Sequence, residues 1–348
     1  MTPAPGMRIA RGRYALEAKL GEGSFGMVFR GLDHRTGTHV AIKFEDSGGE
    51  GAGQLKNEAR LLDHLHGRPG FVEVHHYGRE GNHACLVMDL LGPTLEHSLG
   101  LCAGRTMKPR TAVVVAIQAI QLLEYLHSKC VVHRDIKTEN FAWGLHRQGH
   151  HLHLIDFGMS TIYYWKGRKH CRMLTGNDLT GTARYASINA MRGLTQSRRD
   201  DLEAVGHLLS YLLRGSLPWS GLDARTYEEK LKKICRVKQT FPIKELFQGH
   251  PAEFEDFLAY CRSLAFDQKP DYQHWIERFE AWGRQQRPPL AEYSLEWFEE
   301  GDAERVRALI PRSPYKPCRQ PDEQAQAPKD GYRAGSPQNQ RDHELDKE

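Results

Sequence analysis

The sequence predicts an α+β fold with two lobes, a small antiparallel β-sheet lobe with one helix and a larger, mainly α-helical lobe. Residues 14–90 alternate short β-branched or aromatic runs with turn signals, interrupted by one helical stretch. Beyond Gly92, long segments with helical apolar periodicity dominate. The 348 residues, 39% hydrophobic and 26% charged, are enough to build a full hydrophobic core.

Each element has its own signal in the chain. Strands are predicted where β-branched and aromatic residues cluster, namely at Met27–Arg30, His39–Lys43, Phe71–Val74 and Ala84–Met88. Residues 54–65 place leucines on one helical face, which predicts the helix of the small lobe. Two later segments, Thr111–His127 and Asp201–Leu213, are apolar nearly all round, as central buried helices are. We expect a hinge between the lobes at residues 92–94.

These signals divide the chain into four parts. We expect a flexible N-terminus over residues 1–13, the small lobe over 14–91, the helical lobe over 92–300 and a largely disordered tail over 301–348. The tail is rich in proline and polar residues and has almost no large aliphatic side chains after Ile310. Such a segment cannot offset the entropy of ordering by burial.

Composition excludes several classes of protein. The longest uninterrupted apolar run, Ala112–Ile117, is far short of a membrane span, and the N-terminus lacks the apolar core of a signal peptide. We therefore expect the protein in the cytoplasm or the nucleus, with no membrane partner. We also expect a monomer. Seven scattered cysteines without a C-x-x-C pair argue against disulfides and zinc sites. A net charge of +4 is too small to predict nucleic-acid binding.

A glycine-rich segment, Gly21-Glu-Gly-Ser-Phe-Gly26, is the first candidate binding motif. Alone it fits a dinucleotide fold, a phosphate-binding flap or an ordinary hairpin. A dinucleotide site would continue as a helix, but here a strand follows and the next strand ends at Lys43. This context favours a strand–loop–strand flap whose backbone N–H groups lie over phosphates.

Three further motifs follow in a fixed order. Lys43 lies at the inner end of its strand, and Glu58 on the following helix is placed to meet it. His133-Arg-Asp-Ile-Lys-Thr-Glu-Asn140 comes after a buried helix, and Asp156-Phe-Gly158 comes after an apolar run. Each residue alone would fit an ordinary surface or core position. Together they match the set of residues that protein kinases use for phosphoryl transfer.

This match implies a role for each residue. Asp135 would receive the proton of the attacking hydroxyl, and Lys137 would neutralise the γ-phosphate of ATP. Asn140 and Asp156 would hold Mg²⁺ through hard oxygen ligands. Lys43, fixed by Glu58, would bind the α- and β-phosphates. Asp201, at the start of a buried helix, would brace the catalytic loop from below.

Five further segments are specific to one branch of the protein kinases, namely Leu90–Glu96, Leu179–Asn189, Gln196–Glu203, Gly215–Trp219 and Lys269–Tyr272. With these segments, the chain over residues 14–290 resembles a protein kinase of the casein kinase 1 family, and this resemblance implies the bilobal protein kinase fold. Ser187-Ile-Asn189 stands where most kinases carry Ala-Pro-Glu, a replacement found in this family and few others. The tau-tubulin and vaccinia-related kinases share some of these features and remain an alternative.

The resemblance implies a serine/threonine kinase that uses ATP and Mg²⁺ on protein substrates with an acidic or phosphorylated residue upstream of the acceptor. The family's anion site maps onto Arg184, the backbone at Gly221, and Lys230. Glu228 and Glu229 each have a lysine four residues on, whereas Lys230 has no acidic partner at helical spacing. A solvated helix face is the plainer interpretation of Lys230 by itself.

The resemblance also implies a nucleotide pocket with Met88 as gatekeeper and residues 89–91 as the segment that contacts adenine. Ala142 stands where the family usually has leucine under the adenine ring, so we expect a roomier pocket. The residues assigned to the nucleotide are Leu20, Gly21, Gly23, Ser24, Gly26, Val28, Ala41, Lys43, Met88, Asp89, Leu91, Ala142, Ile155 and Asp156.

Two other departures from the family pattern concern the substrate side and the catalytic loop. Asn177 replaces a lysine before the Leu179–Asn189 segment, and Lys166, Arg168, Lys169 and Arg172 either compensate or form a charged loop. Thr138 replaces the usual proline after the catalytic-loop lysine, at a position without a chemical role.

Two functions of other classes share part of this pattern. A pseudokinase scaffold would lack one of the catalytic or metal-binding residues, whereas Lys43, Asp135, Asn140 and Asp156 are all present. A small-molecule phosphotransferase would not need the peptide-seating segment at residues 180–189.

Overall fold

The computed structural model describes residues 2–23, 26–46, 48, 53–145, 149–165, 169–290 and 295. The small lobe is a six-stranded antiparallel sheet with the strand order β1-β2-β3-β4-β6-β5. Its strands are β1 (Arg8–Ile9), β2 (Tyr14–Gly23), β3 (Gly26–Asp33), β4 (Thr38–Asp46), β5 (Val74–Glu80) and β6 (His83–Asp89). One helix, α1 (Gln54–Leu65), lies between β4 and β5 in the chain, as predicted.

The central strand β4 is covered on both faces. Val40, Ile42 and Phe44 point into a core on one side of the sheet, while Ala41 and Lys43 point to the other. On that second side, α1 buries its leucines in the main core of the protein. This arrangement places the side chain of Lys43 between the sheet and α1.

The N-terminal stretch, which we expected to be flexible, is packed against the sheet. β1 pairs with β2, and the Gly6 N–H donates to the carbonyl of Leu16 at 2.8 Å. Ile9 is buried in the core of the small lobe. A two-residue strand carries too short an alternation to be seen in sequence, and its stability comes from its neighbours in space. The predicted tail at 301–348 lies outside the described residues.

The helical lobe is built around two long helices, α3 (Pro109–Ser128) and α5 (Arg198–Arg214). Among the described residues, α3 is the one helix long and apolar enough to cross a membrane, and 72% of that apolar window is buried inside the fold. The other α-helices that the structure describes in this lobe are α2 (Leu95–Leu101), α4 (Ile188–Met191), α6 (Tyr227–Thr240), α7 (Ile243–Leu246), α8 (Ala252–Ser263) and α9 (Tyr272–Gln285). The predicted two-lobed α+β fold is thereby confirmed.

Short strands between α3 and α4 position the loops of the site. β7 (Val131–Val132) pairs with β10 (Thr161–Ile162), and β8 (Phe141–Trp143) pairs with β9 (Leu152–Leu154). A further pair, β11 (Tyr164–Trp165) and β12 (Lys169–His170), follows. The catalytic motif lies between β7 and β8, and the Asp156-Phe-Gly motif lies between β9 and β10.

The predicted strand at Phe71–Val74 is only partly correct, because β5 begins at Val74. Phe71 and Val72 are buried in the main core, where the Phe71 ring contacts Tyr125 of α3 at a centroid distance of 5.3 Å. Their apolar character therefore reflects packing between the lobes and not pairing in the sheet.

Substitutions of Ile120 in α3 test the packing of the core. Its side chain is fully buried in the helical lobe, so Ile120→Ala should lower the free energy of unfolding by about 2–5 kcal/mol. Ile120→Val removes one methyl group and should cost about 0.5–1.5 kcal/mol. Chemical denaturation of both variants checks the order, and equal midpoints for Ile120→Ala and the wild type would contradict the buried position.

Candidate active site

A chain of ion pairs links the sheet, α1 and the motif that begins at Asp156. The Lys43 ammonium lies 2.7 Å from Glu58 Oε2 and 2.9 Å from Asp156 Oδ1. Burial alone would lower the pKa of Lys43, but the two adjacent carboxylates outweigh it and the pKa is raised. Lys43 therefore stays charged, and its position is fixed by two different parts of the fold.

Asp156 is held in place by the backbone as well as by Lys43. It adopts φ 65°, in the left-handed region that non-glycine residues rarely occupy. The next residue, Phe157, is buried between His133 and Phe71, and its N–H donates to Glu58 Oε1 at 3.3 Å. Burial tends to raise the pKa of Asp156, but Lys43 outweighs it and the pKa is lowered. The carboxylate is thus ionised, and 21% of the side chain remains exposed.

The catalytic motif brings three of its predicted residues together. Asp135 is buried, and its Oδ2 accepts a bond from the Lys137 ammonium at 2.6 Å. The side-chain N–H groups of Asn140 donate to the Asp135 carbonyl at 2.9 Å and to Asp135 Oδ2 at 3.3 Å. The other carboxylate oxygen, Oδ1, accepts from the hydroxyl of Thr182 at 2.8 Å. Sequence analysis did not assign Thr182, although it lies within the family-specific segment.

These contacts show which atoms could ligate a metal ion. Because the Asn140 amide nitrogen faces Asp135, its oxygen is the atom left for a cation. Asp156 uses Oδ1 for Lys43, which leaves Oδ2. An amide oxygen and a carboxylate oxygen are hard ligands of the type that Mg²⁺ prefers. The two residues therefore fit the metal role predicted for them.

Asp201, at the start of α5, holds the backbone of the catalytic motif from below. Its carboxylate accepts from the N–H of His133 at 2.7 Å and from the N–H of Arg134 at 2.9 Å. His127 of α3 lies 2.9 Å from the same carboxylate. Arg134 has φ 69°, so this loop turns through a conformation that needs such support.

The register of the sheet places the predicted nucleotide residues on one face. Val28 is opposite Lys43, and Ala41 is opposite Met88. Directly opposed residues share a face, as do residues two apart, so these four line the same side. Leu20 is 53% exposed at the edge of the cleft.

The two ends of the glycine motif lie on paired strands, as predicted, with Gly21 opposite Val28 and Gly23 opposite Gly26. Gly26 has φ 116°, and a Cβ atom there would lie 1.8 Å from the carbonyl oxygen of Phe44. Only glycine fits so close to β4. Ser24 lies outside the described residues.

The chain that leaves β6 is fixed to the floor of the cleft. The Gly92 N–H donates to the Trp143 carbonyl at 2.8 Å, and the Trp143 N–H donates to the Pro93 carbonyl at 3.0 Å. Next to these bonds, Thr94 pairs with Ala142 in an antiparallel β-bridge, and Ala142 is buried and lies opposite His153 in β9. The Ile155 N–H donates to the Asn140 carbonyl at 2.9 Å. Asp89 is turned outward, with its carboxylate 2.8 Å from His75, and Leu91 is partly buried against the main core.

The residues of the predicted anion site lie on the surface of the helical lobe. Arg184 is exposed, and its guanidinium lies 5.1 Å from the centroid of the Tyr211 ring. Gly221 and Lys230 are exposed as well. On α6, Lys232 and Lys233 pair with Glu228 and Glu229, whereas Lys230 forms no ion pair with any residue that the structure describes. The geometry therefore agrees with the prediction that Lys230 has no acidic partner at helical spacing.

Two of the departures from the family pattern have structural partners. Asn177 donates its side-chain amide to the carbonyl of Gly193 at 3.0 Å. Thr138 is fully buried, and its hydroxyl contacts Glu96 at 2.7 Å and the Tyr185 hydroxyl at 3.0 Å. Thr138 thus joins the catalytic loop to the segment that follows Thr182. Lys166 and Arg168 lie outside the described residues.

Sequence analysis also missed the side chains that hold residues 183–186 in place. Lys238 of α6 is fully buried and bonds to two carbonyls of this segment, and the indole of Trp219 bonds to a third. Burial lowers the pKa of Lys238 to about 7. In the sequence Lys238 is one more cation on an amphipathic helix, so no local signal separates it from its exposed neighbours.

Comparison with known families agrees with this geometry. A family model for the protein kinase domain matches residues 14–278. The match begins with β2 and ends within α9, so it includes the cleft, the catalytic motif and the helical lobe. Domains of this kind use ATP as the phosphoryl donor, typically together with Mg²⁺. The chain belongs to the protein kinase family.

Proposed function

We propose that this protein is an active serine/threonine kinase of the casein kinase 1 type that phosphorylates proteins next to acidic or phosphorylated residues. The observation that carries activity is the unbroken set of contacts from Glu58 through Lys43 to Asp156, beside the ordered Asp135–Asn140 loop. A pseudokinase scaffold would need neither this complete set of contacts nor the ordered loop. The family-specific segments and the unpaired charge on Lys230 support the casein kinase 1 assignment.

In the proposed mechanism, Asp135 orients the substrate hydroxyl and accepts its proton. Thr182 and Lys137 occupy opposite oxygens of this carboxylate and fix its rotation, so the substrate approaches a preorganised acceptor. Lys137 and Lys43 supply the positive charge along the phosphates, in a site where burial strengthens electrostatic interactions. Mg²⁺, held by Asn140 and Asp156, would neutralise charge on the transferred phosphoryl group.

The substrate side is proposed to read an anion upstream of the acceptor. Arg184 and Lys230 supply two exposed cations, and the N–H of Gly221 supplies a neutral donor. A phosphate offers three acceptor oxygens and close to two negative charges, more than an Asp or Glu side chain does. Phosphorylated peptides should therefore bind better than acidic ones. The lysine missing at Asn177 should weaken binding to unphosphorylated acidic runs further.

Loss of the negative charge on Asp135 or on Asp156 should strongly lower kcat. Asp135→Asn and Asp156→Asn keep the shape of the side chain but remove the charge, and each should lower kcat at least tenfold, about 1.4 kcal/mol of barrier. Asp256→Asn, at a surface ion pair with Arg278, is the matched control and should behave like the wild type. A radiometric peptide assay measures all three. Retention of more than a tenth of wild-type kcat would refute the assigned role of that residue.

Removing both cations of the anion site should abolish the preference for phosphorylated peptides. Each charge-assisted bond contributes about 1.5–3 kcal/mol, so Arg184→Ala with Lys230→Ala should lower kcat/KM for a peptide with phosphoserine three residues before the acceptor at least tenfold. The unphosphorylated peptide should change much less. Because the site is exposed, the wild-type preference should shrink as salt is raised.

The matched control is Lys232→Ala with Lys233→Ala, which removes two positive charges that are paired with glutamates on the same helix. This control should keep the preference. An equal preference in the wild type and in the Arg184/Lys230 variant would eliminate the anion site from the mechanism.

Ala142→Leu tests the size of the nucleotide pocket. If Ala142 leaves space under the adenine ring, leucine should tighten packing by about 1 kcal/mol, less than a closed core cavity would because the cleft is open to water. The KM for ATP should then fall or stay the same, while the KM for peptide serves as the internal control. A clear rise would mean that another side chain already fills the space, and His153, opposite Ala142 in the register, is the first candidate.

A further inference from the structure

Four successive carbonyls of the segment after Thr182 are each bonded by a buried side chain of the helical lobe. The Lys238 ammonium donates to the carbonyl of Ala183 at 2.8 Å and to that of Ala186 at 2.6 Å. The Trp219 indole N–H donates to the Arg184 carbonyl at 2.7 Å, and His207 Nδ1 lies 2.8 Å from the Tyr185 carbonyl. We call Lys238, Trp219 and His207 the carbonyl clamp.

Lys238 is the unusual member of this clamp. A lysine on a surface helix normally extends its ammonium into water, because removing the charge from water is costly. Here the side chain turns inward, is fully buried and lies 5.1 Å from the centroid of the Trp219 ring. The two carbonyls, the ring face and the nearby carboxylate of Glu203 compensate the buried charge.

The carboxylate of Glu203, which attracts the Lys238 ammonium, also has other partners. Glu203 of α5 accepts from Arg262 of α8 at 3.3 Å and from the Ile188 N–H at 3.2 Å. His207, also on α5, lies 3.2 Å from Arg262. Removal of the Lys238 ammonium would therefore leave no isolated buried carboxylate, and the main loss would be at the Ala183 and Ala186 carbonyls.

The clamp connects the two cations of the proposed anion site. Arg184 projects from the clamped segment, and Lys230 lies on the same helix as Lys238, eight residues earlier or about 12 Å along the axis. Lys238 therefore ties the helix that carries one cation to the backbone that carries the other. The neighbouring Tyr185 hydroxyl contacts Thr138, so the clamped segment also abuts the catalytic loop.

We propose that Lys238 is a positioning residue for substrate selection, whose bonds to the Ala183 and Ala186 carbonyls hold Arg184 at a fixed place relative to Lys230. Lys238 itself does not contact the substrate. This inference rests on the proposed function, since it assumes that Arg184 and Lys230 bind a phosphate on the substrate. It predicts that Lys238 affects the binding of phosphorylated peptides more than the chemical step or the binding of ATP.

The test compares Lys238→Met with Lys232→Met, which removes an exposed lysine of the same helix. Lys238→Met should raise the KM for the phosphoserine peptide at least tenfold, while kcat and the KM for ATP stay within threefold of wild type. Lys232→Met should match the wild type in all three. A loss of kcat with unchanged peptide KM, or equal effects on ATP and peptide, would overturn the positioning role.

A double variant separates positioning from general destabilisation. If Lys238 acts through Arg184, then Lys238→Met should have little further effect on the phosphoserine peptide in the Arg184→Ala background. If the two substitutions raise the KM for the phosphoserine peptide by independent factors that multiply, the proposal is contradicted. If Lys238→Met does not fold, Trp219→Phe removes the bond to the Arg184 carbonyl while it keeps an aromatic ring beside Lys238 and His207. This variant should raise the same KM by a smaller factor, and an unchanged KM would count against the clamp.

The same assays distinguish this inference from the proposed function. A wild-type enzyme with equal kcat/KM for phosphorylated and unphosphorylated peptides would refute the substrate class. A wild-type enzyme that prefers the phosphorylated peptide, together with a Lys238→Met variant that keeps this preference unchanged, would refute only the role of Lys238.

Discussion

The arrangement of the catalytic loop depends on the hydrogen bonds that the buried carboxylate of Asp201 accepts. This carboxylate is almost fully buried, and burial alone would raise its pKa, but bonds from His127 and from the backbone of His133 outweigh this and the pKa is lowered. An ionised carboxylate in the core must be fully hydrogen-bonded, so its donors cannot move independently. His127 in turn contacts the Tyr272 hydroxyl at 2.6 Å. One side chain thereby connects α3, α5, α9 and the loop that carries Asp135.

From this fixed loop the site extends in two directions by different kinds of interaction. Towards the small lobe, ion pairs around Lys43 and the buried ring of Phe157 join the sheet, α1 and the motif at Asp156. Towards Arg184, hydrogen bonds between the side chains of Thr182 and Asp135 and of Thr138 and Tyr185 join the catalytic loop to residues 182–186. The contacts towards the small lobe are thus mainly between charged groups, and those towards Arg184 are mainly hydrogen bonds.

Bonds to backbone carbonyls explain how residues 183–186 can be held in place while the Arg184 side chain stays exposed. In residues 183–186 the carbonyls face inward to the clamp, while the Arg184 side chain faces solvent. Gly181 allows the preceding turn to approach closely, since it has φ 102° and a Cβ atom there would lie 2.3 Å from the Arg134 carbonyl oxygen. The segment therefore depends on its neighbours in space and has little regular structure of its own.

The sequence by itself determined the two lobes, the main helices and the predicted catalytic set, because each has a local signal. Apolar periodicity identifies α1, α3 and α5, and the spacing of Lys43, Asp135, Asn140 and Asp156 needs no structure to be recognised. The tertiary structure alone decided what depends on contacts between distant residues. It packs β1 onto the sheet, uses Phe71 for the core between the lobes, and turns Lys238 inward while Lys232 on the same helix remains exposed. The physical reason is that burial of a side chain is set by what packs against its helix or strand, and that information is spread over the whole chain.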